Sequence, residues 1–354
     1  MIPYIITFGF ISLMAMMQPI DKPWSSLKIW IPMTIYLIIF VGLRHEVGSD
    51  WDNYLAMFNR DVPQMSYGDA LVHGDPAFWL LMVWVTEMGW SIHIVNLVSG
   101  IFFVTGLVVF VRTMPNPWLA LVVATGYTVL TLGMGYVRQG VALGLSLWAI
   151  TALVDRKFVK FFILISFATA FHKSGVLMLG FGLFQGGRGK YLKAIAAVMM
   201  GIGIYMAFMS GNEEHYVETY IDSAMKSSGA YIRIFMNLIP ALIFLYFRKR
   251  WYQLWPDSYT LWYLMALASL AAVPSVFILS TATDRVSLYL IPLQFVVFSS
   301  LPLLLQGVIS PKVTTFLVVF YYGLVYFVWL NFAAWAFAWV PYQNILSDYF
   351  GYLY

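Results

Sequence analysis

Long apolar segments separated by short polar connections run along almost the whole chain. A helix needs roughly 20 apolar residues to span a bilayer, and about 17 to 25 is the usual range. The pattern therefore predicts an all-α polytopic integral membrane protein with about twelve transmembrane helices, in a single transmembrane domain over residues 1–354. The candidate spans are 2–18, 28–43, 92–111, 118–135, 138–154, 158–171, 173–186, 191–209, 232–247, 258–280, 286–306 and 313–339.

The charged residues indicate which helix ends face the cytoplasm. Hydrophobic residues make up 61% of the chain and charged residues only 10%, whereas soluble domains carry about 25% charged residues. If the apolar segment 76–89 does not span, one side of the membrane holds 13 of the 20 basic residues and three of the 16 acids. The positive-inside rule makes that side cytoplasmic and puts both chain ends on the outer face. Its basic residues are Lys22, Lys28, Arg112, Arg156, Lys157, Lys160, Arg188, Lys190, Lys193, Arg248, Lys249, Arg250 and Lys312.

Two polar stretches on the outer face are longer than ordinary connections, residues 44–91 and 210–231. Within the first, PAFWLLMVWVTEMG (76–89) is apolar but short, contains Glu87 and is rich in tryptophan. We interpret it as an interfacial or partly inserted helix. The apolar runs on either side of His172 are also short, so a broken or re-entrant pair of helices there is an open alternative.

Several chemistries lack the residues that they need. The chain has no cysteine, which excludes disulfides, thiolate metal sites and thiol nucleophiles. It has no HExxH, Walker-type glycine loop or GxSxG element. Glu46, Asp50 and Asp52 could in principle hold a divalent cation, but we predict no metal and no cofactor. We also predict no binding to nucleic acid, because the basic residues form short clusters without the stripe that a phosphate backbone requires.

Three arginines on the outer face, Arg44, Arg138 and Arg285, lie at or just inside the ends of apolar runs. One interpretation is that they are unrelated interfacial anchors whose side chains reach the head groups. The other is that they converge. A guanidinium binds phosphate through two parallel hydrogen bonds and stays charged at physiological pH. Converging arginines at this depth predict a binding site for a lipid-linked diphosphate.

A histidine and two acids on the same face are candidates for proton transfer. His172 lies between two short apolar runs, where a histidine is either a hydrogen-bonded structural residue or an acid–base group. Glu46 and Asp50 are the other candidates for a catalytic base, and Asp50 could instead orient a neighbouring arginine. Asp52 and His45 are interpreted as ordinary loop residues. We favour His172 as the base.

Five segments in order along the chain resemble the motifs of the Wzy/EpsG-type bacterial polysaccharide polymerases. They are GLRHEVGSDWDNY (42–54), YVRQGVALGLSLWAI (136–150), AFHKSGVL (170–177), TDRVSLY (283–289) and AWVPYQNIL (338–346). The resemblance implies a GT-C-like fold in the bacterial inner membrane, with the active site facing the periplasm. It also implies polymerisation of O-antigen, capsule or exopolysaccharide repeat units.

Such enzymes transfer the growing glycan from its undecaprenyl diphosphate to the non-reducing end of a new lipid-linked unit, with inversion. The partners implied are the two lipid-linked oligosaccharides, donor and acceptor, the bilayer and, in addition, a chain-length regulator and a flippase. Carried onto this chain, Arg44, Arg138 and Arg285 bind the diphosphate, and His172, Asp50 or Glu46 acts as the base. Further side chains of the outer face are predicted to bind substrate: Tyr54, Tyr136, Gln139, Tyr289 and Tyr342.

Two other classes of function stay open. One is a different GT-C-like membrane glycosyltransferase or an O-antigen ligase, which would use the same arginines on another acceptor. The other is a flippase of lipid-linked oligosaccharides, whose charges would follow a central path. The chain places almost no ionisable residue in mid-span and has no detectable inverted repeat, which disfavours the flippase.

Overall fold

A computed structural model describes residues 1–184, 229–278 and 280–347, together with residues 195, 198, 199 and 202. Every regular element within these ranges is helical, as the apolar pattern predicts. Most of the predicted span 191–209 and of the predicted loop 210–231 lies outside the described residues.

The α-helices of the described ranges are α1 (Ile2–Met17), α2 (Leu27–Gly42), α3 (Trp51–Ala56), α4 (Tyr67–Val72), α5 (Pro76–Glu87), α6 (Ile92–Val111), α7 (Pro117–Val123), α8 (Val137–Val154), α9 (Phe158–Phe171), α10 (Leu179–Phe184), α11 (Ala230–Tyr246), α12 (Arg248–Leu254), α13 (Pro256–Ser275), α14 (Ser280–Ser287), α15 (Pro292–Leu304) and α16 (Pro311–Phe332). A long π-helix, Ala124–Gly135, continues α7, and a shorter one, Met57–Asp61, continues α3. The 3-10 segments are Val62–Gln64, Lys173–Met178, Leu288–Leu290 and Ala336–Ala338.

The helices are distributed over two compact units. The first comprises Met1–Leu145, Ala170–His172 and Ser299–Tyr354, and the second comprises Ser146–Thr169 and Lys173–Phe298.

Four helical segments of the described chain are long and apolar enough to cross a membrane, namely Ile92–Val111, Pro117–Gly135, Val137–Val154 and Pro311–Phe332. Two bent pairs, Ala230–Tyr246 with Arg248–Leu254 and Ser280–Leu290 with Pro292–Leu304, raise the number to six if each pair is one span. Helices also occur at 2–17, 27–42 and 158–171, where spans were predicted, but they have 16 residues or fewer. The protein is thus a multi-pass membrane protein with four to six candidate spans in its described part, and twelve stays a prediction.

The last predicted span, 313–339, ends earlier than the apolar pattern indicates. Helix α16 stops at Phe332, and Ala333 adopts an extended conformation. No proline or glycine breaks the sequence here. The cause is tertiary: Trp339 is only 2% exposed, and its indole nitrogen donates to the Leu130 carbonyl at 3.1 Å. Helix continuation would carry that ring away from the π-helix that it contacts.

The two ends of the first unit are joined by a network of hydrogen bonds that we call the terminal clamp, between residues 338–345 and residues 4 and 39–48. It contains backbone bonds as well as side-chain bonds to backbone carbonyls. The backbone bonds run from Gly48 N to Ala338 O (2.8 Å), His45 N to Gln343 O (3.1 Å) and Ile345 N to Leu43 O (3.0 Å). The side-chain bonds run from the Tyr4 hydroxyl to Trp339 O (2.8 Å), the Tyr342 hydroxyl to Phe40 O (2.9 Å) and the Asn344 amide to Ile39 O (3.2 Å).

Close helix packing in the first unit depends on small residues, as the glycines of 133–144 suggest. A Cβ atom on Gly106 of α6 would lie 1.9 Å from the carbonyl oxygen of Gly144 in α8. Only glycine permits two backbones to approach so closely. The contact fixes the position of α8 against α6.

Helix α5 occupies the segment predicted as interfacial. It has 12 residues, so it is about 18 Å long, too short for the roughly 30 Å hydrocarbon layer. Residues that precede α5 contact its end and the residues beyond it: the Tyr67 hydroxyl donates to Glu87, the last residue of α5, at 2.6 Å, and a nitrogen of His45 lies 3.0 Å from one of His93. Both contacts support the interpretation that this helix does not span.

Contacts at the opposite helix ends agree with the predicted sides. In the first unit, the Arg112 guanidinium donates to Ser25 O at 3.0 and 2.7 Å. In the second, Arg156 pairs with Asp257 at 2.7 Å. Each pair joins residues that the charge pattern assigns to the same side; that this side is cytoplasmic stays a prediction.

We expect Trp339→Phe to lower the thermal unfolding midpoint of the purified protein. The indole hydrogen bond contributes about 0.5–1.5 kcal/mol, and the lost ring atoms open space beside Gly135, which packs on the Trp339 ring. Trp335→Phe is the matched control, because Trp335 is 56% exposed and surface changes usually stay within about 0.5 kcal/mol. Equal midpoints for the two variants would contradict the buried role of Trp339.

Candidate functional site

A buried carboxylate, that of Asp75, lies between an arginine and a histidine in the first unit. Its Oδ2 atom accepts a hydrogen bond from Arg138 Nη1 at 3.0 Å and lies 3.1 Å from His172 Nδ1. The side chain of Asp75 is 5% exposed, that of His172 10% and that of Arg138 29%. We call these three residues, with Tyr54 and Phe78, the Asp75 site.

Asp75 is positioned by the start of helix α5. It is the N-cap residue and precedes Pro76, the first residue of the helix. Proline is favoured at the first helical position, and the Asp75 side chain forms no capping hydrogen bond with α5. The backbone of Asp75 is left-handed, with φ of 64°, a conformation that aspartate tolerates better than most residues. The positive end of the helix dipole also favours a carboxylate at this point.

Arg138 is the second residue of α8, directly after the π-helix. Its guanidinium carbon lies 5.8 Å from the ring centroids of both Tyr54 and Phe78, which is within the range of cation–π attraction. Burial raises the pKa of Tyr54, while the Arg138 charge opposes the rise. Tyr54 is therefore a neutral phenol at physiological pH. Arg138 is held from two sides and keeps part of its guanidinium exposed.

His172 follows the last residue of α9 and precedes a 3-10 segment. An ionised carboxylate only accepts hydrogen bonds, so Nδ1 of the ring is the donor to Asp75. No described residue forms a hydrogen bond with Nε2. In the neutral ring this nitrogen then carries the lone pair. The arrangement leaves one nitrogen of His172 able to accept a proton.

Arg44, by contrast, is surrounded by the protein. It is 2% exposed, and it donates to Val41 O at 2.6 Å, Val47 O at 3.0 Å and the Asn96 side-chain oxygen at 3.4 Å. Burial lowers the pKa of its guanidinium to about 10, so it remains charged at neutral pH. These contacts give Arg44 a structural role in the terminal clamp. Its predicted role in diphosphate binding stays a prediction.

The two acids predicted as alternative bases differ in their surroundings. Asp50 is partly buried, accepts a hydrogen bond from Ser49 at 3.3 Å, and its charge helps to raise the pKa of Tyr54. It therefore lies within electrostatic reach of the Asp75 site. Glu46 is exposed, and its carboxylate lies 3.8 Å from His45 Nε2. Its backbone is left-handed, with φ of 51°.

The remaining predicted substrate residues of the first unit are spread over several elements. Tyr136 ends the π-helix and is partly buried, and the adjoining Gln139 is buried, with an amide nitrogen that has no partner in the described chain. Tyr342 belongs to the terminal clamp, where its ring stacks on Phe40 at 4.8 Å.

The second unit carries the other predicted residues. Arg285 lies on α14 and is partly buried, while Tyr289 is buried and accepts a hydrogen bond from Ser174 at 3.1 Å. Next to Arg285, Asp284 forms a two-pronged ion pair with Arg233 of α11.

Asp75 and Arg233 were not among the residues predicted from the sequence. Asp75 is one of several acids in a long polar stretch, and burial of an acid has no signature in a single sequence. The order Gly74-Asp75-Pro76 before an apolar segment did mark a helix start, but not the partners of its carboxylate. In the described part of the chain, no group of three or more acids or histidines is placed to hold a metal ion.

The sequence model of the EpsG family matches residues 28–344. The chain belongs to the EpsG family. This confirms the resemblance drawn from the five motifs, and the family is that of Wzy-type polysaccharide polymerases. Membership supports a polysaccharide-polymerase type of function in general terms. The chain matches none of the curated proteins and none of the solved structures.

We expect Arg44→Lys to lower the thermal unfolding midpoint and the amount of protein in the membrane. An ammonium group cannot reach the three acceptors that the planar guanidinium binds, and each buried acceptor left unpaired costs about 1–3 kcal/mol. Arg60→Lys is the control, because Arg60 pairs with Asp61 at the surface. An Arg44→Lys protein as stable as the control would contradict the structural role.

Proposed function

We propose that this EpsG-family protein is a membrane glycosyltransferase that polymerises undecaprenyl-diphosphate-linked oligosaccharide repeat units. It transfers the growing glycan from its lipid diphosphate to the non-reducing end of a new lipid-linked unit, with inversion and without a metal or another cofactor. The proposal includes a GT-C-like fold of about twelve spans, located in the bacterial inner membrane, with the site facing the periplasm. The observation that carries it is the meeting of Arg138 and His172 on one buried carboxylate.

The diphosphate is a good leaving group, so its departure requires stabilisation of negative charge more than protonation. Arg138 is suited to this, since it is charged, oriented by Asp75 and 29% exposed. A preorganised donor aimed at developing charge is a large contributor to catalysis. In the proposal Arg138 binds the donor diphosphate, and Arg285 of the second unit keeps the diphosphate-binding role that the sequence predicts for it.

Arg44 contributes differently in this proposal. Each of its three guanidinium nitrogens already donates one hydrogen bond, to Val47, Val41 and Asn96. It therefore acts on the diphosphate through the field of a buried charge and through the shape of the turn that it holds, rather than through a bidentate contact. A buried charge acts over a longer distance than an exposed one, because screening by water and salt is weaker there.

The acceptor sugar must lose a proton from its hydroxyl group. His172 Nε2 takes this proton, the hydroxyl oxygen bonds to the anomeric carbon of the donor, and the bond from that carbon to the diphosphate oxygen breaks. The electron pair leaves with the diphosphate. General-base catalysis of this kind contributes about 10²–10⁴-fold. Asp50, within reach of Tyr54, is the second candidate for the base.

The sugars are held by side chains that combine a flat surface with a hydrogen-bonding group. Tyr54, Tyr136, Gln139, Tyr289 and Tyr342 are proposed for this role. The lipid tails of donor and acceptor stay in the bilayer, and a flippase and a chain-length regulator are proposed as functional partners.

We expect His172→Ala and Arg138→Lys to abolish long polymer when each complements a strain that lacks the gene. The first removes the base, and the second replaces the planar fork by a single ammonium group. The measurement is the length distribution of the surface polysaccharide, at matched amounts of inserted protein. His73→Ala and Arg60→Lys are the controls, because both residues are exposed. Full-length polymer from the stable His172→Ala and Arg138→Lys proteins would overturn the proposal.

The same experiment separates a polymerase from a ligase. A strain without the polymerase still attaches single repeat units to the final acceptor, whereas a strain without the ligase attaches none. The proposal expects single units from the inactive variants.

A further inference from the structure

We propose that Asp75 is a positioning residue for the transfer reaction: its carboxylate fixes the His172 ring so that Nε2 faces the acceptor hydroxyl unprotonated, and it sets Arg138 beside it. The inference rests on the proposed function. It goes beyond that proposal by assigning a role to a residue that belongs to none of the five motifs.

The burial of Asp75 is the first observation behind this role. At 5% exposure its carboxylate has lost most of its hydration. An ionised carboxylate in such a place is stable only when charged or hydrogen-bonded partners replace the water. Arg138 and His172 provide that replacement at 3.0 and 3.1 Å. A carboxylate at the surface of the loop would have no desolvation cost. The burial of Asp75 therefore indicates that its contacts with Arg138 and His172 are required.

The second observation is the atom that the contacts share. Arg138 Nη1 and His172 Nδ1 both contact Oδ2 of Asp75. The two nitrogens are therefore no farther apart than the sum of the two contact distances. A single oxygen atom thus sets the spacing between the proposed diphosphate ligand and the proposed base. Effective general-base catalysis depends on such spacing, because the base must lie within hydrogen-bond reach of the proton that it takes.

The third observation concerns the two nitrogens of the ring. Nδ1 is bound to Asp75, and no described residue binds Nε2. A carboxylate on Nδ1 selects the neutral form that has its proton there and its lone pair on Nε2, and it stabilises the imidazolium that forms when the hydroxyl proton arrives. Asp75 itself takes no proton in this scheme. An asparagine at position 75 can donate a hydrogen bond from its amide group to Nδ1 of His172. That contact favours the form of the ring that has its lone pair on Nδ1 and its proton on Nε2.

The test uses the full-length protein in lipid nanodiscs, with lipid-linked repeat units extracted from a strain that lacks the gene. We expect Asp75→Asn to lower kcat by on the order of 10²–10⁴-fold, the range in which loss of an orienting carboxylate falls. The KM for the lipid-linked unit should change much less. Asp61→Asn is the matched control, because Asp61 also pairs with an arginine, at 2.9 Å, but at the surface; its kcat should equal that of the wild type.

A double variant distinguishes positioning from general damage. Because Asp75 acts on the proposed base, His172, Asp75→Asn should lower kcat by a smaller factor in the His172→Ala background than in the wild type, and the loss that remains there reports the contact with Arg138. Independent, multiplying losses would overturn the inference, as would a wild-type kcat for Asp75→Asn. If Asp75→Asn is too unstable to purify, Asp75→Glu keeps the charge and should fold. Its displaced carboxylate should still lower kcat, and an unchanged kcat would equally overturn the inference.

A wrong base and a wrong role for Asp75 give different results in these variants. If His172→Ala turns over as fast as the wild type, the proposed base is wrong, and the inference about Asp75 falls with it. If His172→Ala is inactive while Asp75→Asn is fully active, only the inference is wrong. A higher KM with unchanged kcat in Asp75→Asn would also overturn it, since Asp75 would then serve Arg138 alone.

Discussion

The first unit has to compensate one buried negative charge, the carboxylate of Asp75. Water cannot do this at 5% exposure, so the protein supplies a guanidinium and an imidazole from two other elements. The start of α5, the start of α8 and the end of α9 are brought to one point by this requirement. An uncompensated charge would cost several kcal/mol, which is comparable with the whole stability of a small domain. The polar site is thus part of what holds these helix ends together.

The unit also buries a positive charge, and it compensates that charge in another way. Within the described residues Arg44 donates to two backbone carbonyls and an asparagine oxygen rather than to a carboxylate. Those carbonyls belong to the end of α2 and to the turn after it, which the C-terminal segment also contacts through Gly48 and Ile345. Gly48 is required there, because its φ is 114° and a Cβ atom would lie 2.3 Å from the carbonyl oxygen of Met134. Arg44 and Arg138 therefore have different surroundings although both follow the same sequence rule, an arginine at the end of an apolar run.

The apolar runs locate some of the helices accurately, since α6 and α9 begin and end where the apolar runs do. They fail where a tertiary contact decides the conformation, as at Trp339, whose burial ends α16 early. The residues of the candidate site also fall into two groups, those that the sequence indicates and those that only the tertiary structure reveals. Arg138 and His172 could be selected because an arginine and a histidine are conspicuous at the end of an apolar segment. Asp75 could not, because an acid in a polar loop is ordinary until its burial is known. Tyr342, which the sequence predicts to bind substrate, also donates its hydroxyl hydrogen to the Phe40 carbonyl, and the sequence does not indicate this contact because the two residues are far apart in the chain.

The location of the site follows from the cost of charge in a membrane. An ionised side chain at the centre of a span costs about 2.5–3.5 kcal/mol even on the lowest scales. A site that needs a base, an arginine and a carboxylate is therefore built from the ends of helices, with Asp75 just before α5, Arg138 at the second position of α8 and His172 just after α9. The apolar parts of the helices are then compatible with the lipid, and the helix ends hold the charged and polar groups of the candidate site. The packing of the apolar segments therefore determines the distances between the charged groups at their ends. The contact between Gly106 and Gly144 is for that reason part of the geometry that sets Arg138 against Asp75.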